Sequence, residues 1–248
     1  MRQLQPILIF RSLTIYSQSK RSMSDISTLI SQVQQEAERE DFPLDVPVYK
    51  SAGMKPTEPV LYAGNLASPL CFFGRDLGKD EVQARQPLIG ASGTMVRQGF
   101  YYSIYQQKAP SREDLDNTTI ERVLLTNTVP YKPPGNKAYL MKVKNRFRPF
   151  LEQLFVFHWS GDRIITLGTE AFKWFAPYGA KGEIDSFYRS SDRFEDRLTV
   201  NISATGDGGM SQTKAITLLP LPHPSPLNQK YYAAFPKMLQ KRLAQVEF

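Results

Sequence analysis

The chain is poor in cysteine: Cys71 is the only one in 248 residues. One thiol cannot close an internal disulfide, and it cannot build a zinc site or an iron–sulfur cluster. Cys71 lies inside an apolar run with no His or basic cluster near it in sequence, so it reads as a small hydrophobe rather than a nucleophile. Long apolar runs are missing as well. Pro6–Phe10 is too short to span a bilayer and is followed by no small-residue cleavage site, and no other segment approaches membrane-spanning length. No membrane partner is therefore expected. Internal repeats and low-complexity tracts are also absent.

Acidic residues are missing from the first 22 positions, which hold Arg2, Arg11, Lys20 and Arg21. Such an Arg/Ser-rich, acid-free leader has the composition of a transit peptide. The simpler reading takes Met23-Ser24-Asp25 as the natural start, with residues 1–22 an upstream extension and 23–248 a single domain. Beyond residue 22 the balance is 27 basic against 24 acidic side chains, against a whole-chain charge of +7. A mildly basic body suits a polyanion such as nucleic acid. An ordinary solvated surface explains the charge equally well.

What the chain does have is three short apolar runs, each ending on a polar residue. Leu70–Gly74 runs into Arg75-Asp76, Val123–Thr126 into Asn127, and Ile216–Pro222 into His223-Pro224-Ser225-Pro226-Leu227. Continuous apolar runs of this length read as strands buried on both faces of a parallel sheet. Ligands of open parallel sheets sit beyond the carboxyl ends of the strands. This places an Asp, an Asn and a His from distant parts of the chain at one crevice.

The intervening segments read mostly as helices and loops. Ile26, Leu29, Ile30, Val33 and Ala37 predict a helix capped by Ser24 or Asp25, and 41–59 a connecting loop. The first strand runs to Gly74. A helix starts near Ser92, whose expected N-cap position leaves backbone N–H groups for an anion. Residues 111–121 read as a polar connection. A basic helix is predicted over about 139–157 with a kink at Pro149, and Ile164–Leu167 is a short strand before a helix capped by Thr169. Residues 183–214 alternate polar and β-prone residues and read as a β-hairpin excursion. The final helix starts near Gln229. The predicted fold class is α/β: a three-layer α/β/α sandwich with a central, mainly parallel four-stranded sheet.

Each polar strand end has two readings. His223 is either an aimed imidazole, held stiff by flanking prolines, or an incidental member of a proline-rich turn. Asn127 either reads the edge of a nucleobase with its planar amide or caps the turn into Pro130. Asp76 either positions water and faces developing positive charge or is a turn carboxylate paired with Arg75. Lys132, Lys137, Lys142, Lys144, Arg146 and Arg148 form the densest basic stretch, either a solvated face or a phosphate contact.

Taken together and in order, these segments resemble the uracil-DNA glycosylase superfamily from about Tyr62 to Leu243. Leu124–Val129 is similar to the family's strand ending in a base-reading Asn, and His223–Leu227 matches its HPSPL loop. Gly74–Gly78 aligns with its water-activating motif, written GQDPY in one branch and GEAPG in an iron–sulfur branch. Gln86–Gly93 and Lys132–Asn136 look more like the iron–sulfur branch. The resemblance implies cleavage of the bond between sugar and uracil in DNA, after the nucleotide is flipped into a pocket. Hypoxanthine or xanthine as the base, or a non-catalytic nucleic-acid-binding member, are the alternatives. It also implies roles. Asp76 orients water and faces the sugar cation, and a neutral His223 donates a hydrogen bond to uracil O2. Asn127 reads N3 and O4, with Gly74, Arg75 and Leu88 around the base. Ser92, Lys132 and Ser225 meet the DNA, and Leu227 wedges into the stack.

Departures from the family pattern carry their own expectations. The iron–sulfur branch uses four cysteines, and Tyr131 stands where one ligand would fall, so no cluster, metal or other cofactor is expected. Arg75 replaces a Gln or Glu beside Asp76. Gly78 stands where the GQDPY branch has a Tyr that blocks the thymine methyl group, which predicts room for 5-substituted uracils. Leu88 replaces a Phe that stacks on uracil. A monomer acting on damaged DNA in base-excision repair is expected, cytoplasmic and nucleoid-associated.

Overall fold

The computed structural model describes residues 25–135 and 137–246. The expectations placed on residues 1–22 lie outside them. Six strands form one sheet: β1 (Tyr62–Gly64), β2 (Leu70–Gly74), β3 (Leu124–Asn127), β4 (Arg163–Leu167), β5 (Leu198–Thr205) and β6 (Ser211–Leu221). Their order is β1-β3-β2-β4-β6-β5. The four inner strands are mutually parallel, whereas β1 and β5 pair antiparallel at the two edges. The α/β class therefore holds, but the sheet has six strands rather than four. The physical reason lies at the edges. β1 is three half-buried residues without an apolar run of its own, and it merges in sequence with β2.

Residues 183–214, read as an excursion, divide between two elements. Glu183–Arg189 is a helix, and β5 then pairs with β6 from Thr205↔Ser211 to Leu198↔Leu218. The hairpin thus extends the main sheet. Pro220 and Pro222 come after the end of β5, where proline is tolerated because pairing is one-sided.

Alternate residues of each inner strand face opposite layers. Cys71, Phe73, Leu124, Ile164 and Leu218 point to one core; Leu70, Phe72, Leu125, Ile165 and Leu219 point to the other. The first core is covered by α1 (Ile26–Arg39), α2 (Val46–Ser51), α3 (Lys79–Ala84), α6 (Met141–Gln153), α7 (Thr169–Lys173) and α8 (Glu183–Arg189). The second is covered by α4 (Ala91–Tyr105) and α10 (Phe235–Leu243), with α5 (Arg112–Arg122) against α4. A short α9 (Gln229–Tyr232) precedes α10.

Three local differences from the sequence reading have simple causes. The polar connection after Ser111 is α5, which buries only Leu115 and Thr119 and so shows little apolar periodicity; Ser111 Oγ caps it by accepting from the Asp114 N–H at 3.1 Å. The predicted 139–157 helix is α6 followed by a π-helical turn, Leu154–His158. Ser92 lies inside α4, whose N-cap is Gly90.

Candidate active site

Gly74, Asn127, Leu167 and Leu221 end the four parallel strands, which lie side by side. The residues that follow them therefore share one edge of the sheet. Gly74 and Asn127 are paired directly across β2 and β3. A Cβ at Gly74 would sit 3.3 Å from both amide atoms of Asn127 and 3.3 Å from Leu88 Cδ2. These three residues thus pack against one another. Asn127 is buried, and its Oδ1 has no hydrogen-bond partner among the described residues. A buried acceptor of this kind awaits a donor from elsewhere.

Asp76 follows two residues after β2, and its side chain is only 3% exposed. Oδ2 lies 3.1 Å from Arg75 Nε. The Thr128 hydroxyl is 3.5 Å from Oδ1, the Tyr139 backbone N–H faces the carboxylate, and Oδ2 has no hydrogen-bond partner among the described residues. Burial pushes this carboxyl above the usual range; the positive charges of Arg75 and Lys144 and the Tyr139 N–H oppose that, and Glu170 adds to it. Thr128 also fixes the loop itself. Its N–H donates to the carbonyls of Gly74 (3.1 Å) and Arg75 (2.9 Å), and its hydroxyl donates to the Arg75 carbonyl.

His223 stands two residues beyond β6. Its carbonyl accepts from the Ser225 N–H at 2.9 Å and from the Asn228 amide at 3.1 Å, which closes the loop into a tight turn. Gly168 supports it from the neighbouring strand end. Its φ is +93°, and a Cβ there would lie 3.0 Å from His223 Cβ, so a side chain is excluded on both counts. Burial holds the imidazole below its ordinary range, and the Arg75 charge pushes it further the same way. A neutral ring is the form such surroundings favour near neutral pH.

Leu88, packed against Gly74, has a left-handed conformation (φ 58°), which is strained for a leucine. Buried Arg97 holds it there, donating from Nε to the Leu88 carbonyl at 2.9 Å and from Nη2 to the Pro87 carbonyl at 3.3 Å. The room expected beside Gly78 is taken. Glu81 Oε2 accepts from the Gly78 N–H at 2.8 Å, and a Cβ at Gly78 would lie 2.3 Å from that oxygen. The Glu81 carboxylate also lies beside Gly90, within 4 Å of where a Cβ there would sit, so the loop after β2 and the loop before α4 meet at it.

Two expectations about DNA contacts need correction. Lys132 is turned inward: Nζ pairs with Asp45 at 2.7 Å and donates to the carbonyls of Pro133 (3.0 Å) and Gly135 (2.8 Å). The basic stretch is largely internal too. Lys144 pairs with Glu170 at 2.6 Å, Arg146 with Glu36 at 2.7 Å, and Arg148 donates to the Trp174 carbonyl at 2.6 Å. Lys137 and Lys142 remain exposed. The reason is amphipathic: these are long side chains whose stems pack on the core while their heads find carboxylates or carbonyls of neighbouring elements. Ser92 is half-buried in the first turn of α4, which precludes the capping role. Ser225 accepts from the Leu227 N–H at 3.3 Å, and the Leu227 side chain is 94% exposed.

Sequence reasoning missed Thr128, Tyr139, Gly168, Glu81 and the Lys144–Glu170 pair. Thr128 and Gly168 carried a signal, since each directly follows the last residue of a strand. Tyr139 and Glu170 carried none, because they reach Asp76 through tertiary packing. Among the described residues no group of three or more His, Cys, Asp or Glu side chains is placed to hold a metal ion.

The fold and site define an α/β/α protein with a buried carboxylate, a buried amide and a half-buried imidazole at the ends of the parallel strands. The chain belongs to the uracil DNA glycosylase superfamily, whose family model matches residues 61–247. That membership supports a DNA glycosylase-like function and a place in DNA repair. Among curated proteins, none matches the chain. No helix among the described residues is long and apolar enough to cross a membrane.

Proposed function

We propose that this protein hydrolyses the N-glycosidic bond of uracil in DNA, as the first step of base-excision repair. The observation that carries the reading is the buried Asn127 amide, with an unpartnered Oδ1, beside Gly74 and on the same sheet edge as Asp76 and His223. Uracil presents an N3–H donor and an O4 acceptor in one plane, which suits an amide. Cytosine presents an acceptor and an amine there and leaves both amide atoms opposed, a mismatch that buried polar groups punish.

In this reading Asp76 orients water toward C1′ as the C1′–N1 bond breaks, and its negative charge faces the sugar cation. The electron pair of the broken bond goes to the base. Neutral His223 donates a hydrogen bond to O2, where that charge accumulates, and the bond strengthens as it does so. Arg75, close to Asp76 and acting on His223, adds positive potential on the leaving-base side.

Base release from matched oligonucleotides carrying uracil, hypoxanthine or neither, under enzyme excess, tests the proposal. Abasic sites only at uracil, lost in Asp76→Asn, are the expected result. Release at hypoxanthine alone would overturn the substrate. One observation favours a second reading, a nucleic-acid binder with little catalysis: the Arg75–Asp76 ion pair occupies the carboxylate. In that case Asp76→Asn changes little, and no base is released.

A further inference from the structure

Among the described residues the exposed aliphatic side chains are Leu140, Met141, Met210 and Leu227. Met210 lies at the β5–β6 turn, at the opposite end of β6 from His223. The other three lie close in sequence to residues of the crevice, and Leu140 also lines a groove with Phe42, Pro43 and Pro133. Leu227 follows His223 by four residues on one side. Leu140 is 79% exposed and Met141 53%, and both follow Tyr139, whose backbone N–H is on Asp76. Two apolar tips thus belong to two different loops, one beyond β3 and one beyond β6, the outer strands of the parallel group.

We propose that Leu140, backed by Met141, is a second apolar wedge that inserts into or against duplex DNA on the side of the crevice opposite Leu227. This rests on the DNA glycosylase reading of the same site.

Three features fit the role. First, the mount is tied down on both sides of the tip's approach, at Lys132–Gly135 and at Tyr139. Lys132 ties the carbonyls of Pro133 and Gly135 to Asp45, and Tyr139 is buried beneath the tip. The Leu227 loop is stiffened in the same way by two hydrogen bonds to the His223 carbonyl. Second, the chain alternates there, Tyr139 inward and Leu140 outward, so the inward anchor fixes where the outward tip points. Third, the apolar tip is flanked in sequence by exposed Lys137 and by exposed Lys142, which pairs with Glu40 at 3.6 Å in a solvent-facing contact that a phosphate can replace. Apolar tips between cations match a duplex, whose base stack is apolar and whose edges are phosphate. A wedge on each side of the extruded nucleotide holds open both base steps that lose a stacking neighbour.

The proposal separates duplex from single strand, because only a duplex has a stack to hold open. Initial rates of base release are measured for wild type, Leu140→Ala, Leu140→Met and Leu227→Ala on matched single- and double-stranded uracil oligonucleotides. Leu140→Ala is expected to lower the duplex-to-single-strand ratio of kcat/KM by about tenfold, with Leu140→Met restoring most of it. A second readout needs no catalysis: fluorescence of 2-aminopurine beside a non-hydrolysable abasic analogue in a duplex. Wild type is expected to raise it on binding, and Leu140→Ala to raise it less. An unchanged ratio, or equal losses on both substrates with unchanged fluorescence, overturns the wedge. Absence of base release by wild type would count against the glycosylase reading alone, since the fluorescence still reports on Leu140.

Discussion

The two walls of the crevice are built differently. The wall around Asp76 is crowded with charge: Arg75, Lys144 and Glu170 all act on one buried carboxylate. The wall around His223 is made of prolines, Gly168 and backbone hydrogen bonds, with Arg75 the charge that reaches it. The difference is the one the proposed reaction calls for. A sugar cation calls for a fixed negative charge with its own counter-charges close by. A leaving base anion calls for a donor that stays neutral until it is needed.

Breaking the charged wall should have the largest effect. Asp76→Asn is expected to lower single-turnover base release by about 10³, roughly 4 kcal/mol of barrier, while DNA affinity is retained. The same change should raise Tm at neutral pH. A carboxyl held above its ordinary range binds its proton more tightly folded than unfolded, so stability falls as pH rises through that interval. A lower Tm in Asp76→Asn would contradict the burial account.

Removing the mount of the neighbouring loop comes next. Lys132→Ala leaves Asp45 partly buried and two carbonyls unpaired, and is expected to cost about 3 kcal/mol in urea unfolding. A cost near that of an exposed pair would mean that the loop stands without its lysine. On the opposite wall, His223→Gln keeps a donor but loses its aim, and about a hundredfold loss in rate is expected. Equal losses for His223→Gln and Asp76→Asn would erase the distinction between the walls.

Arg75 couples the two walls, and Arg75→Gln tests that coupling. Without its charge, the Asp76 carboxyl rises further and the His223 imidazole moves back up toward its ordinary range. The proposed mechanism uses Asp76 ionised and His223 neutral, so both changes are expected to move the acid limb of the pH–rate profile to higher pH. A limb that stays in place would show that Arg75 acts on neither group. The smallest effect concerns the substrate's 5-position. Because Glu81 fills the space beside Gly78, wild type is expected to discriminate against 5-hydroxymethyluracil, and Glu81→Ala to relax that discrimination by a few fold. Equal rates on both bases in wild type would show that Glu81 does not guard that position.

Much of this arrangement was legible in the sequence, for a definite reason. Leu70–Gly74, Leu124–Asn127 and Ile216–Leu221 are continuous apolar runs, and a parallel strand buried on both faces has no other way to look. Their ends fixed the places of Asp76, Asn127 and His223. The edge strands were harder. β1 is too short for a pattern, and β5 alternates as a hairpin does, which does not reveal that its partner is a core strand. The surroundings of Gly78 and of the basic stretch were not legible. That Gly78 leaves no room depends on Glu81, three residues along, folding back onto the Gly78 N–H. The inward turn of Lys132, Lys144 and Arg148 depends on Asp45, Glu170 and Trp174, which are remote in sequence.

Those internal cations also bear on how the protein meets a polyelectrolyte. A lysine already neutralised by a protein carboxylate releases no counterions when DNA arrives, so it adds nothing to the slope of log affinity against log salt. With Lys132, Lys144 and Arg146 spent in this way, any salt dependence of DNA binding falls to the cations left exposed, Lys137 among them.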